Sequence, residues 1–353
     1  MRIAIISDAG EPQVNGVVNT LRSTVRCLRA AGHEVLMLTP RDFRTFACPT
    51  YPEIRLAYQP YARITEALER FQPDCIHIAT EGPMGLAARR YCVRRKLNFT
   101  TAYHTRFPEY LAARKLLPKA ITYRLLRWFH GRSQAVMAPT PAMKLALEEQ
   151  GFRNVVLWGR GVDTEHFRPS AEDHACIERP LFLYVGRVAV EKNIESFLKL
   201  DLPGTKWVVG DGPQYEELSQ RYPKVRFLGA KGHDELPAYY NCADAFVFPS
   251  KTDTFGLVLL EAMACGIPVA AYPVEGPIDV VDNGVSGILK NDLRQACLQA
   301  LRLDKDVVRS HAERRSWESA TQQFLQHLHH VRHVHLSEPG KVAVAIAPAR
   351  ESR

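Results

Sequence analysis

Short apolar runs alternate with amphipathic stretches along most of the chain. "RIAII" (2–6) has strand length and strand character. Residues 15–31 then place Val18, Leu21, Val25 and Leu28 at helical spacing, with Gly32 as the stop. "EVLML" (34–38), "DCIHIA" (74–79), "NFTTAY" (98–103) and "QAVMA" (134–138) continue the alternation. The pattern restarts with "PLFLYVG" (180–186), "KWVVG" (206–210), "KVRFLG" (224–229), "DAFVFP" (244–249) and "IPVAA" (267–271). Buried strands separated by helices of 10–15 residues predict parallel sheets covered on both faces. The stretch 159–174 is polar, carries Gly and Pro, and has no period. The expected fold is therefore α/β: two doubly wound, Rossmann-like domains facing across a cleft. The first covers 1–165 and the second 166–337, its last helix free to pack back on the first. Residues 338–353 read as a loose tail.

A length of 353 residues suits two domains. An apolar fraction of 46% and a charged fraction of 24% describe a soluble globular protein, and no apolar run reaches transmembrane length. The first residues turn polar at Asp8, too soon for a signal peptide. Eight cysteines without a C-x-x-C pair read as small core hydrophobes in a reducing cytosol. Together these predict a cytoplasmic protein. Charge is uneven: residues 1–170 carry a net +11 and the remainder −3. A basic half attracts phosphates, acidic membranes or nucleic acid, and no nucleic-acid module is present.

In open α/β sheets ligands bind where strands give way to helices. The first such loop, "SDAGEPQVNGVVNTL" (7–21), lacks G-x-G-x-x-G, which disfavours a dinucleotide. Gly16 opens the helix and either admits a phosphate to the backbone or only fits a turn. "YVGRVAVEKNIESFL" (184–198) sets Arg187 and Lys192 at the mouth of a helix, as a diphosphate site or as solvated charges. "VVGDGPQYEEL" (208–218) carries Asp211 and Gly212 at the next turn. In "SKTDTFGLVLLEAMACGIPVA" (250–270), Asp253 precedes a helix whose N-cap is expected within "KTDT" and whose stop is Gly266. Glu261 falls about two turns into this nearly all-apolar helix. A buried carboxylate needs donors, and a ribose diol supplies two, a salt bridge being the plainer alternative.

Asp253, seven residues, Glu261, with Phe255-Gly256 inside and "EAMACGIPVA" beyond, resembles the signature of family-4 retaining glycosyltransferases of GT-B fold. "GVDTEHFRP" (161–169), "GRVAVEKN", "GDGP" and "NGVSGIL" (283–289) stand in the family's order, so the resemblance covers about residues 1–330. It implies that Gly16 and Val17 approach the donor sugar and phosphate, and that Arg187 and Lys192 hold the diphosphate. Asp211, Gly212, Ala230 and Lys231 would lie near the nucleotide. Asp253 would bond sugar hydroxyls, though the family usually has glutamate there. Thr254, Phe255, Gly256, Leu257 and Val258 would border the sugar and diphosphate, the last four through backbone N–H groups, with Glu261 on the ribose. T-E-G-P-x-G and Y-H-T-R-F-P-E-Y within 80–110 resemble GDP-mannose-dependent α-mannosyltransferases and diacylglycerol glycosyl and sulfoquinovosyl transferases. On that resemblance His104 contacts the sugar.

The implied reaction moves a hexose from a nucleoside-diphosphate sugar, GDP-mannose or a UDP-hexose, to a lipid or glycan hydroxyl with retention. No cofactor is expected and no metal, since cations already serve the diphosphate and no D-x-D site stands out. "DKD" (304–306) reads as a solvated face, and "HLHHVRHVH" (327–335) as a polar terminal helix. The segment 113–132 mixes cations with Leu, Ile, Trp and Phe. It reads as a membrane-facing or acceptor-side surface through Lys119, Arg124 and Arg127, or as a core helix with a basic outer face. A non-catalytic nucleotide-sugar sensor and a sugar-nucleotide epimerase of the same fold are the competing functions.

Overall fold

The computed structural model describes residues 1–13, 15–48, 51–113, 117–170 and 178–331. The expected tail, Arg114, Lys115 and residues 332–335 of the histidine-rich stretch lie outside these residues; the helix expected over 327–335 stops at His327, and 328–331 are not helical.

The first half holds β1 (Arg2–Ile6), β2 (Glu34–Leu38), β3 (Thr45–Cys48), β4 (Tyr51–Ala57), β5 (Cys75–Ile78), β6 (Thr100–Ala102), β7 (Val136–Ala138) and β8 (Val155–Leu157). Six of them form a parallel sheet in the order β2-β1-β5-β6-β7-β8. The second half holds β9 (Leu181–Val185), β10 (Thr205–Val209), β11 (Arg226–Phe227), β12 (Ala245–Phe248), β13 (Val269–Ala271) and β14 (Gly287–Leu289). They form a parallel sheet in the order β11-β10-β9-β12-β13-β14. Both sheets are doubly wound. Strand order reverses between β1 and β5 in one and between β9 and β12 in the other, which opens a crevice at the carboxyl end of each pair.

Strands β8 and β14 each end a sheet, where burial is incomplete. The antiparallel pair β3–β4 lies outside the main sheet, and its partly exposed β3 lacks the continuous apolar run of a buried strand. Every residue of β9 and β12 is buried, as a sheet covered on both faces requires.

The chain crosses between the sheets near Gly159–Pro169 and again near Arg315–Trp317, and the crossings touch. The Val162 N–H donates to the Arg315 carbonyl at 3.0 Å. A Cβ on Gly161 would fall 2.3 Å from the Trp317 backbone nitrogen, so only glycine fits there. The last helix, Trp317–His327, returns to the first half, where Phe324 joins a core cluster with Ile3, Leu21 and Trp158.

Candidate active site

The second sheet's switch point brings the loop after β9 against the loop after β12. Lys192 Nζ makes a short ion pair with Asp253 Oδ1, joining positions 61 residues apart. Asp253 Oδ2 is buried with no hydrogen-bond partner among the described residues. Arg187, half-buried, lies on the same loop as Lys192. The helix after it is a single turn, Glu195–Leu198. It is therefore too short to supply the helix-end charge expected beside these two cations. That charge comes from the helix after β12.

This helix spans Leu257–Ala264 and lacks the side-chain cap expected from "KTDT". Its N-cap is Gly256, in the left-handed region at φ 82°. A Cβ there would press on Phe248 and Leu259 at 3.0 Å, so a side chain is doubly disfavoured. Without a side-chain cap, the Leu257 and Val258 N–H groups have no backbone acceptor among the described residues, while the Leu259 N–H donates to the Gly256 carbonyl at 3.0 Å; unpaired donors at a helix start are what an anion site requires. Leu259, Leu260 and Met263 are fully buried and fix the helix against β12 and β13. Each contributes about 1.5–3 kcal/mol of apolar burial. At the far end Gly266 turns the chain at φ 75°, and Arg309 donates to the Ala264 carbonyl at 2.6 Å.

A second helix N-terminus meets this one. Gly16 opens Gly16–Ala30, and a Cβ built on it would be 3.8 Å from Leu257 Cδ1. That is ordinary contact, so packing alone does not demand glycine. The Val17 and Val18 N–H groups both donate to Asn15 Oδ1 at 3.0 Å. The Val17 N–H, expected to face the donor, is thus already bonded to its own cap. Two more contacts bind the halves: Thr254 Oγ1 donates to the His104 carbonyl at 2.8 Å, and Arg106 pairs with Glu275 at 2.8 Å.

Glu261 sits one turn into its helix, nearer the N-terminus than the two turns expected. It is buried, and Tyr240 Oη donates to its Oε2 at 2.9 Å. Burial lifts its carboxyl to about 7, and the tyrosine bond offsets part of that rise. Glu261 lines a cavity of about 270 Å³ with Arg22, Arg26, His166 and His233. Tyr240, invisible to motif reading, is the donor that this buried carboxylate requires.

His104 follows β6. Arg160 donates to its Nδ1 at 3.2 Å, while Nε2 is buried and has no partner among the described residues. Burial, then the Arg160 charge and His77, hold the ring well below the ordinary histidine range, so it is neutral.

The remaining nucleotide-side residues are more peripheral. Gly212 lies at φ 156°, and a Cβ there would be 2.5 Å from the Val188 carbonyl oxygen. Its glycine serves the packing of two loops, where the sequence suggested approach to a ligand. Asp211 accepts from the Gly212 N–H at 2.7 Å, and both line a hollow with Tyr215 and Gly229. Ala230 is exposed after β11, and Lys231 lies over the Tyr239 ring at 5.4 Å.

The glycines of T-E-G-P-x-G answer to Asp8. Its carboxylate accepts from Thr80 Oγ1 at 2.8 Å, the Met84 N–H at 2.8 Å and the Gly85 N–H at 3.2 Å. A Cβ on Gly82 would lie 2.5 Å from Asp8 Cγ. Asp8 thereby fastens the loop after β1 to the loop after β5, at the first sheet's switch point. The residue pair 304 and 306 of "DKD" has a local role, since Asp304 caps the helix Lys305–Glu313.

The basic segment contains a helix at Lys119–His130. Lys119, Arg124 and Arg127 are exposed, though Lys119 lies 3.6 Å from Glu109 and Arg127 donates to the Gln150 carbonyl at 2.7 Å. Leu126 and Phe129 are buried because they face the strand side of the helix, as a core helix with a basic outer face would have it. Leu117, Ile121, Leu125 and Trp128 form the exposed stripe, with Leu125 at 54% and Trp128 at 58% exposure. No helix among the described residues is long and apolar enough to cross a membrane.

Comparison with known proteins agrees with this geometry. Residues 14–166 match the model of glycosyltransferase family 4, and residues 179–303 that of glycosyl transferases group 1. The chain is 29% identical to a GDP-mannose-dependent alpha-mannosyltransferase of Corynebacterium glutamicum, over 93% of this chain and 88% of that protein. It is 31% identical to the sulfoquinovosyl transferase SQD2 of Arabidopsis thaliana, over 87% and 69%. It is 25% identical to an alpha-monoglucosyldiacylglycerol synthase of Streptococcus pneumoniae, over 93% and 85%. In fold it resembles the sucrose-phosphate synthase from Thermosynechococcus elongatus, with a TM-score of 0.75 at 24% identity over 92% of this chain and 97% of that one. The two parallel-sheet domains are those of the GT-B fold, and the chain belongs to the family-4 glycosyltransferases.

Proposed function

We propose that the enzyme transfers a hexose, mannose in the first instance, from a nucleoside-diphosphate sugar to a lipid hydroxyl with retention at the anomeric carbon. The observation that carries this reading is the meeting of two helix N-termini, at Gly16 and Leu257, beside the loop of Arg187 and Lys192. A diphosphate is the ligand such a place favours. Glu261, one turn further in, is set to accept from a ribose diol.

Charge builds on the departing diphosphate as the glycosidic bond lengthens. Arg187, Lys192 and the Leu257 helix end oppose that charge, which lowers the barrier where it matters. These fixed positive groups are why we propose a metal-independent reaction. The acceptor hydroxyl attacks from the face the diphosphate leaves, and a phosphate oxygen takes its proton. Asp253, held by Lys192, would accept from sugar hydroxyls.

The relatives favour GDP-mannose as donor, with a UDP-hexose and diacylglycerol as the second reading. A lipid acceptor suits the exposed stripe on Lys119–His130, flanked by Arg124, which we propose rests on an anionic membrane face. The test is nucleoside-diphosphate release from a panel of GDP- and UDP-sugars, with and without lipid, and proton NMR of the product. An α-linked glycolipid from an α-linked donor supports the reading, and a β-linked product overturns it.

A further inference from the structure

Arg160 is a buried cation with no ion pair to a carboxylate among the described residues. Its guanidinium lies over the ring of buried Trp158 at 4.3 Å. One terminal nitrogen donates to the carbonyls of Trp158 and Gly159, the latter at 2.9 Å. The other donates to His104 Nδ1 at 3.2 Å. Trp158 is held in turn by Phe324 at 4.8 Å and by the edges of His77 and His104, both at 5.7 Å. The guanidinium is therefore fixed in position by backbone carbonyls and an aromatic face.

Arginine has donors only and stays protonated. A contact to Nδ1 therefore forces Nδ1 to be the lone-pair nitrogen, and the ring proton must sit on Nε2. We infer that Arg160 is a positioning residue that holds His104 in its Nε2–H tautomer, making it a fixed hydrogen-bond donor and barring it from acting as a base. The inference rests on the proposed placement of His104 at the donor sugar. Nε2 is buried without an acceptor among the described residues, so the group it serves is an oxygen of the bound substrate, a sugar hydroxyl or a phosphate oxygen.

The groups that set the ring's charge come from each side. Arg160 lies on the loop after β8, and His77 on β5 is itself buried with its pKa pushed down to about 3. Across the cleft Thr254 contacts the His104 carbonyl and not the ring, and Asp253 is paired with Lys192. Among the described residues no carboxylate stabilises the protonated imidazole.

The test compares R160M, R160K, H104Q and H104A, using histidine nitrogen NMR and the pH profile of kcat/KM. In the wild type, His104 should show one neutral tautomer, protonated at Nε2, from about pH 6 to about pH 8. R160M should give mixed tautomers, a new acid limb and a fall in kcat of about tenfold or more with a smaller change in donor KM. R160K, which keeps a donor toward Nδ1, should restore much of the loss. H104Q, whose amide places a donor near the Nε2 position, should outperform H104A. An unchanged tautomer and pH profile in folded R160M, or Nδ1 protonation in the wild type, overturns the inference about Arg160. Wild-type turnover by H104A would instead remove the placement of His104 at the sugar, so the two failures are distinguishable.

Discussion

Lys192 and Asp253 form an ion pair at the place where the second sheet reverses its strand order. One residue is assigned to the diphosphate and the other to the sugar, so the two ends of a glycosyl phosphate bond would meet this one pair. On the proposed assignment, donor binding would exchange part of the Lys192–Asp253 attraction for contacts to phosphate and hydroxyl groups.

R187A and K192A should therefore lower turnover more than they disturb acceptor KM. Loss of a charge-assisted hydrogen bond suggests about 1.5–3 kcal/mol, or roughly 10- to 150-fold. Steady-state kinetics with the acceptor varied at saturating donor checks this. A change confined to acceptor KM would show that these cations do not serve the diphosphate.

Donor binding should weaken as pH falls through neutrality. Glu261 titrates near 7 because burial penalises its charge, and only the ionised form accepts from both hydroxyls of a ribose. Calorimetric donor affinity should therefore drop between about pH 8 and about pH 6, with protons released on binding. E261Q should flatten this dependence and bind donor more weakly by about 1.5–3 kcal/mol at pH 8. Affinity within twofold of wild type would remove the ribose role.

The same carboxylate should weaken the unliganded fold at high pH. Its folded pKa is raised above the ordinary carboxylate value, so its favourable contribution is full below that value and is lost as pH rises through about 7. E261Q should consequently be more stable than wild type at pH 8, by up to about 3 kcal/mol, and lose this advantage near about pH 4. Denaturant midpoints at the two pH values test the sign. Equal stability differences at both would mean that Glu261 is ionised without penalty.

Much of the fold was legible because buried parallel strands are continuous apolar runs. The expected strands from "RIAII" to "IPVAA" all form, trimmed at their ends. What escaped was short or edge structure: β3, β4, β8 and β14. The Leu257–Ala264 helix was readable from Gly266 backward, but its start was not. Thr252, Asp253 and Thr254 are good capping types, yet the chain begins the helix after a left-handed Gly256. The partners of the motif residues escaped as well. Tyr240 reaches Glu261 from another helix, and Asp8 reaches the glycines of 80–85 from the loop after another strand. Such pairs are made by topology, not by spacing along the chain.

Binding to membranes should be electrostatic and partly apolar. The protein should sediment with anionic vesicles, lose binding as salt rises, and bind neutral vesicles little, at about 1 kcal/mol per engaged cation. Changing Lys119, Arg124 and Arg127 together to Glu should reduce binding and lipid glycosylation while donor hydrolysis stays near wild type. L125S should do the same without altering charge. R124E is the cleaner single change, because Lys119 and Arg127 also touch Glu109 and the Gln150 carbonyl. No sedimentation with either vesicle type would favour a soluble saccharide acceptor.

Sugar transfer from a nucleoside diphosphate onto an acceptor can be followed with labelled mannose from GDP-mannose, in the presence of EDTA and vesicles containing a lipid acceptor, while released GDP is assayed in the same reaction. Labelled lipid and GDP should appear in equal amounts, without added metal. Donor bound but not consumed, or donor sugar converted with no GDP released, would contradict transfer.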